Sequence, residues 1–298
     1  MSKIVFCNNN ITGIHYSGYT ITKVYACGGE VVYEAQRPVP TNPIARYKPN
    51  CNSSDWLEIG DDNGDSAVTK TEVDKYVTPS EYSGMCALQF YTGCTEVGIG
   101  AFSGAGMVNI NSWGYVTTIG ASAFTRCNNL ETVYYNCGGC PLVVGQRAFA
   151  NDTSLSAVTL YASTIGKYAF ASCTNLKTVN LTATTVETSA FLYCNSLSSL
   201  TLSNIETISA GAFQGCPSLT SITIPSSITS IGGYAFSNCT SLTKIEFKGY
   251  TPPTVNSHAF EDTNNCPIVI PAGVSKTTWA SASGWSSYAT RLKYPYEV

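Results

Sequence analysis

At 298 residues with 44% apolar side chains, the chain can bury a sizeable core, which excludes an intrinsically disordered protein. Only 12% of residues are charged and the formal net charge is −3, so the composition offers no basic surface for nucleic acid. No run of about 18 apolar residues occurs, and no membrane insertion is expected.

The first thirty residues hold Asn8, Asn9 and Asn10 where a signal peptide needs an unbroken apolar stretch, so no export leader is expected in the chain as read. The run from Ile14 to Ala35 places Ile, Tyr and Val on both sides of Ser17-Gly18 and of Gly28-Gly29. Gly-Gly suits a primed two-residue turn, which predicts a β-hairpin over Thr20 to Tyr33. Pro38, Pro40 and Pro43 then predict an extended linker. Residues 1–75 are read as a small β-rich N-terminal attachment domain, richer in charge than the rest of the chain. Its Lys23-Val24-Tyr25 and Val31-Val32-Tyr33-Glu34 segments are similar to segments of gut bacteriophage structural proteins, where they precede recognition modules. That resemblance implies attachment to a virion and allows a homo-oligomer held through this domain.

Asp61, Asp62, Asn63, Gly64 and Asp65 bring together oxygen ligands of the kind Ca²⁺ prefers. An EF-hand would need Glu at position twelve, which Glu72 meets only if the loop begins at Asp61, and a solvated turn accounts for the cluster more simply.

From here a repeat governs the sequence. Ala-Phe occurs eight times, ending at Phe102, Phe124, Phe149, Phe170, Phe191, Phe213, Phe236 and Phe260, with gaps of 22, 25, 21, 21, 22, 23 and 24 residues. Five residues before the Phe stand Ile119, Val144, Ile165, Val186, Ile208 and Ile231; six after it stand Leu130, Leu155, Leu176, Leu197, Leu219 and Leu242. Nine and eleven after the Phe come alternating apolar pairs, such as Val133 with Tyr135 and Val179 with Leu181. Alternation of period two marks a strand with one buried face. A single strand per coil can pair only with its counterpart in the next coil, so the coils stack about 4.8 Å apart. A degenerate coil is expected before Phe102, around Leu88, Phe90 and Val97.

The Ala-Phe-x-x-Cys-x-x-Leu segment would cross the opposite side of each coil as a helical or 3₁₀ turn, its small Ala leaving room for stacked Phe rings. Cys127, Cys173, Cys194, Cys216 and Cys239 share one repeat position, whereas Ala105, Asp152 and Thr263 replace them in other coils. Of 13 cysteines, an odd number, five in a packing column argue against a disulfide framework. The long gap before Phe149 carries Cys137-Gly138-Gly139-Cys140, either a loop or a redox or zinc pair, although a structural zinc site needs four ligands.

The stretch LTSITIPSSITSIGGYAFSNCTSLTKIEF, Leu219 to Phe247, resembles the repeat of BspA-like leucine-rich-repeat proteins, and the likeness extends from about Val97 to Pro271. Ile268 to Tyr288, with Trp279, Trp285 and Tyr288, resembles that family's C-terminal cap. The expected fold is an α/β repeat solenoid. It has a parallel β-sheet with one strand per leucine-rich repeat of about 22 residues and short helical turns opposite, preceded by the small β-rich domain. The solenoid is expected over 76–298, with its cap from about 268.

His15 and His258, the two histidines, stand far apart in the chain, and no Ser-His-Asp set or phosphate-cradling loop appears. No enzyme, cofactor or metal is therefore expected; a redox or metal role for Cys137 and Cys140 is the alternative. The remaining candidate is the outward row of strand residues: Thr132, Tyr134, Thr159, Tyr161, Thr178, Asn180, Thr182, Thr201 and Thr223, with Ser199, Ser221, Lys244 and Glu246. Thr favours exposed strands whatever its function, but tyrosines on a regular neutral face can anchor a partner. The family resemblance implies adhesion to a protein or surface glycan, on a virion or a bacterial surface, the alternative being a bacterial secreted or surface adhesin whose leader is missing from the chain as read.

Overall fold

The computed structural model describes the backbone of residues 4–6, 20–27 and 30–36, and residues 40–136 and 142–298 in full. His15, the Gly28-Gly29 turn, Pro38 and the Cys137–Cys140 motif lie outside the described residues.

Strand Thr20–Cys27 pairs antiparallel with Glu30–Gln36, as the hairpin reading expects, and Ile4–Phe6 adds to the free edge of Glu30–Gln36. The proline-rich stretch is not wholly a linker. Pro43 heads the strand Pro43–Lys48, a position where proline is tolerated in a sheet. That strand pairs antiparallel with Leu57–Gly60 and Ala87–Phe90, and Ala87–Phe90 pairs parallel with Asn109–Ser112. A disulfide not foreseen from spacing joins Cys51 to Cys86, with Cα atoms 5.0 Å apart. Two short helices follow one another beside this sheet, Lys70–Tyr76 and Pro79–Gly84. Each starts at a threonine, Thr69 or Thr78, whose hydroxyl accepts from the third helical N–H, while Glu72 or Glu81 accepts the threonine N–H in return.

The stacked coils have the expected core. The eight Phe rings form one file, with successive centroids 5.0–5.8 Å apart and planes within 15° of parallel. Every Phe of the file, every Ala before it and every Leu six after it is buried. Phe90 closes the file at the N-terminal end, edge-on to Phe102 at 6.0 Å.

Each coil contributes more than the one strand expected. The residues five before the Phe form a second parallel ladder of short rungs, from Ala67–Val68 through Glu96–Val97, Thr118–Ile119 and onward to Thr254–Val255. The alternating strands form the longer ladder: Thr132–Tyr135, the first half of Ala157–Ile165, Thr178–Thr182 and Ser199–Ser203. It does not run as one ribbon to the end. A second sheet of Ser221–Ile224, Lys244–Phe247, Ile268–Val269 and Leu292–Lys293 begins after a break. In the register of the earlier rungs Ser203 would face Pro225, which has no N–H to donate.

The Ala-Phe side is also not helical. Its residues form consecutive β-turns, with left-handed residues two before and two after most of the Phe rings, as at Ser122 and Arg126 or Tyr168 and Ser172. Within the Phe124 coil, Thr125 N–H closes a turn on Ser122 O, while Phe124 N–H donates to Ala148 O of the next coil at 2.8 Å. Alternate N–H groups thus point along the stack, which a 3₁₀ helix would not allow.

The C-terminal end is closed by aromatic residues, as expected. Trp279, Trp285 and Tyr288 are buried and meet Phe247 and Phe260 edge-on. The apolar core is continuous from Ile44 to Leu292, and the pairing of Ala67–Val68 with Glu96–Val97 carries the sheet across residue 75.

Candidate functional site

Alternation decides which strand residues meet solvent. Val133, Val158, Val179 and Leu181 are buried, so Thr132, Tyr134, Thr159, Thr178, Asn180 and Thr182 turn outward. Parallel register then aligns them in rows: Tyr134, Thr159, Asn180 and Thr201 in one, Thr132, Ala157, Thr178 and Ser199 in another, Tyr161, Thr182 and Ser203 in a third. Asn180 Nδ2 donates to Thr159 Oγ1 at 3.3 Å, a bond between neighbouring rungs of the first row. Tyr134 is 63% and Tyr161 43% exposed. Thr223 belongs to the second sheet, beyond the break, so of the nine Thr, Tyr and Asn residues expected on this face eight form a block and one stands apart.

The face is graded along the solenoid. Its C-terminal end carries Lys244, Glu246 and Lys248 as a paired cluster, in which Lys248 and Lys244 hold the Glu246 carboxyl below the usual carboxylate range. The middle holds hydroxyls and one carboxamide without a formal charge. Toward the N-terminus the strands Asn109–Ser112, Ala87–Phe90 and Pro43–Lys48 continue the equivalent side of the coils. There Arg46 donates twice to Gln89 Oε1, at 3.1 and 2.9 Å, and lies 4.7 Å from the Trp56 ring centroid. Tyr91 hydroxyl donates to Glu58 Oε1 at 3.1 Å. This cluster was not legible in the sequence, because Arg46, Trp56, Gln89 and Tyr91 precede the regular repeat, two of them on strands and two just outside strand ends, at no common spacing.

The other candidates resolve into structural parts. In the acidic loop Asp61 accepts from the N–H groups of Gly64, Asp65 and Ser66 at 2.6, 3.2 and 3.1 Å. Asp62 is engaged by Lys75 and Tyr76, and Glu72 accepts from Asp62 N and Thr69 N. These carboxylates are spent on a turn and a helix cap. His258 is exposed and stacks on Tyr234 at 5.3 Å, beside Ser257.

The cysteine column does more than fill space. Cys127, Cys173, Cys194, Cys216 and Cys239 each donate S–H to the carbonyl of an earlier Phe, respectively Phe102, Phe149, Phe170, Phe191 and Phe213, at 3.1–3.5 Å. Burial pushes the Cys194 thiol up to about 12 and the Cys127 and Cys173 thiols well above their ordinary value, so none supplies a thiolate nucleophile.

The profile of a family described as BspA type leucine rich repeat region matches residues 81–185 and 163–282, in six copies. Among solved structures, the chain is similar to a leucine-rich repeat protein from Eubacterium ventriosum, with 25% identity and a TM-score of 0.50 over 61% of this chain and 47% of that one. The matched part thus spans about half the length of that protein. A leucine-rich repeat protein from Bacteroides ovatus shows 18% identity and a TM-score of 0.49, over 95% of this chain and 76% of that one. No curated protein matches the chain.

Proposed function

The chain belongs to the BspA-type leucine-rich repeat family, and from that premise we propose that it is a non-catalytic recognition protein that engages a protein or surface glycan through the outer face of its longer strand ladder. One observation carries the reading. A rigid, repeating face presents hydroxyls and a carboxamide at fixed spacing, with Tyr134 and Tyr161 projecting from its N-terminal half. Tyrosines give large contact area at small entropy cost, and a scaffold stacked on a buried ring file loses little freedom on binding.

Setting matters as well. The Cys51–Cys86 disulfide is of the kind that persists outside reducing cytoplasm, in keeping with recognition at a surface. In this reading the N-terminal three-stranded sheet attaches the molecule, as a homo-oligomer, to a virion or a bacterial envelope. Light scattering that returns a strict monomer would count against that attachment.

Binding to an array of extracellular proteins and surface glycans tests the main reading. The intact chain is expected to select a ligand, and a Tyr134→Ser, Tyr161→Ser double variant to bind it at least about tenfold more weakly, which is about 1.4 kcal/mol. Equal binding by the double variant would remove the proposed face from consideration.

A further inference from the structure

The Phe149 coil breaks the thiol column. Its position three after the ring holds Asp152, fully buried, where Cys173, Cys194, Cys216 and Cys239 each give a hydrogen to the carbonyl of an earlier Phe. The carbonyl that Asp152 should serve, by the same offset, is that of Phe124. One carboxyl oxygen is accounted for: Oδ1 accepts the Cys127 N–H at 2.8 Å. Oδ2 is one of four buried side-chain polar atoms without a partner among the described residues.

A carboxylate has no hydrogen to donate, and burying its charge without a counter-ion is strongly unfavourable. Among the described residues no counter-ion is at hand. The ionisable groups facing Asp152 are the Cys127 thiol of the coil before and the Cys173 thiol of the coil after, and Arg126 is exposed to solvent. Both requirements, the missing donor and the missing cation, are met by one proton.

We propose that Asp152 stays a neutral carboxylic acid in the folded chain, donates its proton to the Phe124 carbonyl, and so acts as a proton-dependent clasp between the coils on either side of it. Burial, opposed in part by the N–H groups of Cys127 and Arg126, pushes its carboxyl up from 3.8 to about 9. The raised value fixes the sign. Between pH 3.8 and about 9 the folded chain holds a proton that the unfolded chain has released, so the stability that the proton contributes is full below that window and falls as pH rises through it, while the folded chain keeps the clasp until about pH 9. Each pH unit reduces the folding equilibrium constant by up to tenfold through this one group.

Two measurements test the clasp. Denaturant unfolding between about pH 5 and pH 8 compares the wild type with Asp152→Cys, which restores the column, and Asp152→Asn, whose amide can donate at any pH. The ratio of wild-type to variant folding constants should fall close to tenfold per pH unit, and parallel profiles would overturn the proposal. Infrared difference spectra, wild type minus Asp152→Cys near pH 7, should show the stretch of a protonated carboxyl. A carboxylate band in its place would overturn the proposal even if Asp152→Asn does not fold.

Discussion

Phe170 stands in the middle of the ring file, 5.1 Å from Phe149 and 5.0 Å from Phe191, with no solvent exposure. Phe170→Ala should therefore cost about 3–5 kcal/mol, read as a lower denaturant midpoint, and Phe170→Leu should recover part of it. The thiols beside the file make a second prediction at this scale. Cys173 and Cys194 should resist alkylation in the native protein at about pH 8 and react once it is unfolded, as peptide mass mapping would show. Burial of these residues was legible because each recurs at a fixed offset from Phe. The S–H donation was not, since sulfur of either role gives the same periodic signal. Cys51 and Cys86 were illegible as a pair for another reason: they lie 35 residues apart, outside the repeat, brought together by the strand Ala87–Phe90 beside Pro43–Lys48.

At the scale of elements, the long strands could be read from alternation, but rungs such as Thr118–Ile119 half-bury one residue and bury the other, too few to declare a period. On the Ala-Phe side the recurrence of Phe, Cys and Leu every three residues predicts a helical turn. What overrides that spacing is the demand of the neighbouring coil for every second N–H, met by left-handed residues as bulky as Tyr168, Tyr193 and Tyr234. The cap works by imitating a further coil. Phe260 N–H, which has no next coil to reach, donates to Tyr288 Oη at 3.2 Å, and Phe260 O accepts from Arg291 Nη1 at 3.2 Å. Tyr288→Phe should cost about 1–3 kcal/mol by leaving that N–H buried and unpaired. Gly284 lets the cap seat. It sits at φ +82°, and a Cβ there would fall 1.4 Å from Val255 O. Gly284→Ala should unseat the cap, seen as faster amide exchange from Thr254 to Phe260 with unchanged exchange in the coils of Phe149 and Phe170.

Across the whole molecule the same stacking that buries the rings aligns the outer side chains, so a face regular enough to recognise something arises from the repeat itself. Its register could be read from sequence; its N-terminal extension through Arg46, Trp56 and Tyr91 could not, because those residues come together only when an antiparallel strand is laid beside the solenoid. Tyr134 and Tyr161 are exposed, and their removal should change stability by no more than about 0.5 kcal/mol in thermal or denaturant unfolding, separating binding from folding. Amide exchange in the presence of the array-selected ligand tests the face most directly. Protection concentrated in Thr132–Tyr135, Ala157–Ile165 and Thr178–Thr182 is the predicted result. Protection confined to the turns around Tyr168, Tyr193 and Tyr234, on the other side of the coils, would contradict it.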